Sequence, residues 1–183
     1  TGEKRVFAKV FCPYKEVATY YNNYDISLPG DTIILWAEDN HGYIRQVSTE
    51  AELRKFAGSG VYYHVSYYGV PLSYLWVTST PLSLMQEEMT KAYYAGSDDC
   101  WILNVGDLKP SEIPMEFFLS MGWDIDRYSD KEIPDFLAKV MKRDFGFSDA
   151  GAAEAAAIVE QYYQLAIAKR PEFFGKNQGS EYI

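Results

Sequence analysis

The sequence predicts an α/β fold in which parallel strands alternate with helices, followed by a helical segment. Three observations carry this. The runs "DTIILWAEDN", "VYYHVSYY" and "CWILNVGDLKP" have strand length and are separated by helix-length stretches. Each run is close to continuously apolar or aromatic, as in strands covered by helices on both faces. After Pro110 the chain reads as helix only.

The elements follow in order. "YKEVATYYNN" predicts a first helix, and the Pro29-Gly30 turn leads into the first strand run. In "STEAELRKFAGSG", Thr49 and Glu52 have the spacing of a capping box and Gly58 supplies a stop. The strand "VYYHVSYY" comes next. A helix over "TPLSLMQEEMTKAYYAG" takes Thr80 as N-cap, Pro81 as first helical residue and Gly96 beyond its end. Past Pro110, "SEIPMEFFLSMGW", "SDKEIPDFLAKVMKRDFG" and "AGAAEAAAIVEQYYQLAIAKRPEFF" are helical. Ser129 and Glu132 form a second capping box, and Gly146 ends that helix. Ile158, Tyr162, Leu165 and Ala166 share a helix face and are expected to be its buried side. The polar tail "GKNQGSEYI" reads as a frayed end.

Composition narrows the function. A chain of 183 residues with 48% apolar and 23% charged content is globular, of one or two domains. Its net charge of −9 argues against nucleic acid and anionic membranes, which need a positive field. No apolar run approaches the roughly 20 residues that cross a bilayer. Cys12 and Cys100 lack metal-ligand spacing and read as two buried thiols. No phosphate loop, GxSxG elbow, HExxH or Cys/His cluster is present, so neither metal nor other cofactor is expected.

The aromatic residues point elsewhere. The stretch "GVYYHVSYYGVPLSYLWVTST" holds five of the sixteen tyrosines with Trp76 and His64. Buried phenol, indole and imidazole groups each need a hydrogen-bond partner, so a core favours other residues. A wall gripping a sugar uses them, with ring faces against C–H groups and polar tips on hydroxyls. Alternation puts Tyr62, His64 and Ser66 on one face, and this more polar set is assigned to the interior. Tyr67, Tyr68, Tyr74 and Trp76 follow near the strand end as substrate contacts.

What ends each strand is the main functional signal. "TIILW" runs into Glu38, Asp39, Asn40 and His41, with Arg45 beyond; "WILNV" contains Asn104 and runs into Asp107 and Lys109. Carboxyl ends of parallel strands share one edge, where active sites of α/β proteins form. Two carboxyl groups among aromatic walls suit glycoside hydrolysis, one to protonate the leaving oxygen and one to activate water or attack. Asp39, Asp107 and Glu38 are the catalytic candidates. Adjacent residues point apart in an extended chain, so of Glu38 and Asp39 one faces the pocket and the other supports it. Asp39 and Asp107 also fit plain loop or turn caps, and His64 fits a core histidine. Glu87 and Glu88, inside a helix, read as solvated charge or a salt-bridged face.

The blocks "LWAEDNHGYIRQ", "GVYYHVSYYGVPLSYLWV", "EEMTKAYYAG" and "WILNVGDLKPSEIPMEFFL" resemble glycoside hydrolase family 115, the xylan α-1,2-glucuronidases. The resemblance is close from about residue 14 to 123 and looser in the terminal helices. It implies that residues 1–125 are the later, C-terminal part of a (β/α)8 catalytic barrel and 126–183 the start of a helical domain. It also implies inverting removal of glucuronic acid, or its 4-O-methyl ether, from glucuronoxylan or its oligosaccharides, outside the cell or in the periplasm. Three strands do not close an eight-stranded barrel, so the chain reads as a fragment, and its unpaired sheet edges would allow a homo-oligomer. Binding an anionic uronate needs local cations, for which Arg45, Lys109, His41 and His64 are available. The rival reading is a non-catalytic carbohydrate-binding α/β domain, which would capture sugar without cleaving it.

Overall fold

The computed structural model describes residues 8–24, 26–66, 78–109, 111–129 and 131–168. In chain order these form β1 (Lys9–Phe11), α1 (Glu16–Asn23), β2 (Thr32–Ala37), α2 (Glu50–Lys55), β3 (Gly58–His64), α3 (Leu82–Tyr94), β4 (Cys100–Asn104) and α4 (Glu112–Trp123). A 3-10 turn (Ile125–Arg127), α5 (Ile133–Phe145) and α6 (Asp149–Ala168) follow. The sheet order is β1-β2-β3-β4 and every pairing is parallel. Each helix returns the chain to start the adjacent strand, which gives the curled half of a βα barrel with its helices outside.

The sequence reading contained three strands, and the structure adds β1. Its three residues are too few to show alternation, so only pairing of Phe11 with Ile34 identifies it. The middle strand also starts earlier than "VYYH", because "GSG" is its first half. Glycine is required there by close approach: a Cβ on Gly60 would collide with the backbone carbonyl of Cys100.

Side-chain alternation along β3 divides the molecule. Val61 and Tyr63 turn outward into the core with Met85 and Met89 of α3 and Phe117 and Phe118 of α4. Tyr62 and His64 take the opposite face, with His64 in register with Asn104. The same core runs across residue 125 and takes in Ile133, Phe136, Leu137, Ala156 and Tyr163.

Local signals were followed to different degrees. The capping box at Thr49 is complete: the Glu52 amide donates to the Thr49 hydroxyl, and the Thr49 amide donates to the Glu52 carboxylate at 2.7 Å. Thr49→Ala is therefore expected to lower stability by about 1 kcal/mol, read from the urea midpoint. An unchanged midpoint would mean that the cap contributes nothing. Gly146 ends α5 as expected, at φ 69 with its amide on the Lys142 carbonyl. Pro81, not Thr80, is the N-cap of α3, and helix starts at Leu82. At the second box the Ser129 amide donates to Glu132, but Glu132 is itself the N-cap of α5, so the motif closes the preceding turn.

Three expectations about burial are corrected. In α6 the buried residues are Ala152, Ala156, Tyr163 and Ala166, while Ile158 and Leu165 face solvent. The small alanines let α6 lie close against α5, which apolarity alone did not reveal. Cys12 and Cys100 are half-buried rather than buried. Glu87 and Glu88 both pair with Lys91, as a salt-bridged face would, but Glu88 is buried and not solvated.

Candidate functional site

The carboxyl ends of four parallel strands bring four short segments to one edge. β1 delivers Tyr14, Lys15 and Glu16; β2 delivers Glu38 through His41; β3 ends on His64 and Ser66; β4 ends on Asn104 and Asp107. Two non-glycine residues there have positive φ, Lys15 at 52° and Asn40 at 67°. Such outliers persist where surrounding contacts enforce them, and they concentrate at ligand sites.

A ring cluster occupies the centre. The Tyr62 and His64 rings lie 4.6 Å apart, and Tyr14 sits 5.4 Å from His64 and 6.1 Å from Tyr62. Amides tie the phenols down. The Tyr14 hydroxyl donates to Asn40 Oδ1 at 2.6 Å, and Asn104 Nδ2 donates to the Tyr62 hydroxyl. Ser66 Oγ accepts the Gly106 amide, linking the ends of β3 and β4.

Beneath the rings lies a buried pair. Glu38 is 2% exposed; its Oε1 is 2.5 Å from His64 Nδ1, and its Oε2 accepts the Gly42 amide at 2.8 Å. This contact on Nδ1 fixes the orientation of the imidazole ring. Asp39, more open, accepts the His41 and Tyr43 amides on Oδ1 and Arg45 Nε on Oδ2 at 2.7 Å. Both carboxylates thus already accept hydrogen bonds on each oxygen, which suits orientation more than proton donation.

The remaining anticipated residues are scattered around this centre. His41 and Asn40 belong to the β2 loop at the edge. Arg45 is committed to Asp39 and stacks 4.7 Å from the Tyr43 ring centroid. Lys109 is exposed and turns to Glu112 at 2.6 Å, at the start of α4. Asp107 is exposed at the end of β4. Tyr67, Tyr68, Tyr74 and Trp76 lie outside the described residues.

Tyr14, Lys15, Glu16 and Tyr62 were not among the sequence candidates. The first three escaped because the strand before them was not recognised. Tyr62 was placed on the interior face, but its contact with Asn104 depends on β3–β4 register. Lys15 Nζ lies 5.3 Å from the Tyr14 ring centroid, so a cation does reach this edge, from β1. A cavity of about 620 Å³, lined by Trp101, Trp123 and Asp98 among others, opens at the other end of β4. In barrels that end serves stability.

The architecture places the chain among βα-barrel proteins, and the phenol- and amide-rich edge is of the kind that handles hydroxylated ligands. Comparison gives the family. The profile described as Glycosyl hydrolase family 115 matches residues 2–173, and the chain belongs to that family. No curated protein matches it. A solved structure described as a family GH115 4-O-methyl-alpha-glucuronidase, with specificity for decorated arabinogalactans, is similar at TM-score 0.83 and 37% identity. The match covers 95% of this chain and 22% of that one, so the chain spans about a fifth of the relative's length.

Proposed function

We propose that this chain supplies one half of the catalytic barrel of an α-glucuronidase that removes glucuronic acid, or its 4-O-methyl ether, from α-1,2 branches of xylan with inversion. The observation that carries the reading is the Tyr14–Tyr62–His64 ring cluster, backed by Glu38 and flanked by Asn40 and Asn104, at the strand ends of a family 115 chain. Ring faces suit the C–H side of a pyranose, and the phenols and amides suit its hydroxyls. Lys15 supplies positive charge for a uronate, a part for which the sequence offers Arg45, Lys109, His41 and His64.

In this reading Glu38 orients His64, and Asp39 shapes the β2 loop. The acid and base are sought among carboxyl groups open to solvent at the same edge, Asp107 and Glu16. An inverting pair stands about 6.5–9.5 Å apart, leaving room for the attacking water. The polymeric substrate sets the protein outside the cell or in the periplasm.

The relative's stated specificity makes decorated arabinogalactan the competing substrate. The test is proton NMR of the intact protein with 4-O-methylglucuronoxylan and, separately, with glucuronosylated arabinogalactan. Release of the uronic acid from xylan, β-anomer first, is the expected result. Release from arabinogalactan alone would replace the substrate, an α-anomer first would overturn inversion, and binding without release from either would favour the non-catalytic reading.

A further inference from the structure

In the loop after β2, four successive backbone amides are taken by three carboxylates. The His41 and Tyr43 amides donate to Asp39 at 3.0 and 3.1 Å, the Gly42 amide to Glu38 at 2.8 Å, and the Ile44 amide to Glu88 Oε2 at 2.8 Å. Glu88 comes from α3, on the outer helical layer, and is 4% exposed. Its other oxygen holds Lys91 Nζ at 2.5 Å. A second group from behind the sheet meets the same loop: the fully buried Tyr63 donates its hydroxyl to the Gly42 carbonyl at 2.9 Å. Gly42 has φ +94, and a Cβ there would lie 3.0 Å from Thr80 Cγ2 and Tyr63 Oη and 3.1 Å from Leu84 Cδ2.

Burying a carboxylate costs free energy unless its partners are well placed. A solvated residue would serve α3 as well, as Glu87 beside it does. What the buried position gains is a fixed point on the β2 loop. Ile44 lies two residues from Gly42, whose amide is the second partner of Glu38, and Glu38 in turn holds His64.

We propose that Glu88 and Tyr63 are positioning residues, acting through Ile44 and Gly42 to hold the Glu38–His64 pair and Asn40 in working geometry. The inference rests on the site reading given above. Constellations of this kind tolerate about 0.5 Å of error, and a misplacement of about 1 Å can cost 10²-fold in rate.

The test uses Glu88→Ala, Glu88→Gln, Tyr63→Phe and, as a surface control, Glu87→Gln in the intact protein. Turnover of a uronosyl polysaccharide, deuterium uptake across 38–47 and the His64 ring N–H resonance are measured. Glu88→Ala is expected to lower kcat by about 10–100-fold with KM changing less than about threefold. It should also speed amide exchange at 41–44 and shift the His64 resonance. Glu88→Gln, which keeps an acceptor for the Ile44 amide, should restore kcat to within about threefold of wild type. Tyr63→Phe, which removes only a hydroxyl, should speed the same exchange without unfolding the core. Wild-type kcat with an unmoved His64 signal in Glu88→Ala, together with unchanged exchange in Tyr63→Phe, would reduce both residues to packing and overturn the proposal. A wild-type protein inactive on every uronosyl polysaccharide would defeat the functional reading alone, since exchange and the His64 signal would still decide whether the clamp exists.

Discussion

Glu38→Ala is expected to destabilise the protein by about 3–5 kcal/mol and to lower turnover by at least about 10²-fold. Glu38 is buried with both oxygens engaged, one by His64 Nδ1 and one by the Gly42 amide. Truncation removes the Glu38 oxygen from Nδ1 of His64, also buried, and leaves the Gly42 amide without its acceptor. Each loss costs on the order of 1–3 kcal/mol for a neutral group and more for a charged one. Urea unfolding of Glu38→Ala, His64→Ala and the double variant checks the coupling. The double variant should lose less stability than the sum of the single ones, because removing both partners leaves no orphaned charge. Additive losses, or a Glu38→Ala variant within about 1 kcal/mol of wild type, would show that the two groups do not act as a pair.

Gly60→Val is expected to lower stability by about 3 kcal/mol or more, enough to remove a large share of the 5–15 kcal/mol typical of a domain. The cause is backbone against backbone. A Cβ at this position falls onto the Cys100 carbonyl oxygen and within 2.8 Å of Leu35 Cδ2. Leu35 can change rotamer, but the carbonyl belongs to the neighbouring strand and cannot move without parting β3 from β4. Since β4 carries Asn104 and leads to Asp107, activity should fall with the folded fraction. Circular dichroism during a urea titration measures this, and a fully stable Gly60→Val would mean that the two strands are not paired in this register.

The alternation read from "VYYHVSYY" was legible because a strand between helices and an interior must place unlike side chains on its two faces. Tyr63 and Tyr62 accordingly lie on opposite sides. The Thr49 box was legible because its partners are three residues apart. The strand "KVF" was not, since three residues carry no period, and with it went Tyr14, Lys15 and Glu16. Nor was the burial of Glu88 legible: its partner, the Ile44 amide, is 44 residues away, and a glutamate between helix-forming neighbours has the sequence signature of a solvated one.

By itself, then, the sequence determined the α/β class, the helical stretch after Pro110, the family resemblance and the edge at which polar residues gather. Those properties depend on local period, caps and composition, which act over a few residues. Only the tertiary structure decided which groups meet there. It paired Glu38 with His64, spent Arg45 on Asp39 and Lys109 on Glu112, and brought Lys15 in from a strand too short to read. Charge and hydrogen-bond partners are assigned by distances between strands and helices, and those distances exist only once the parallel register and the packing of α3 behind it have been set.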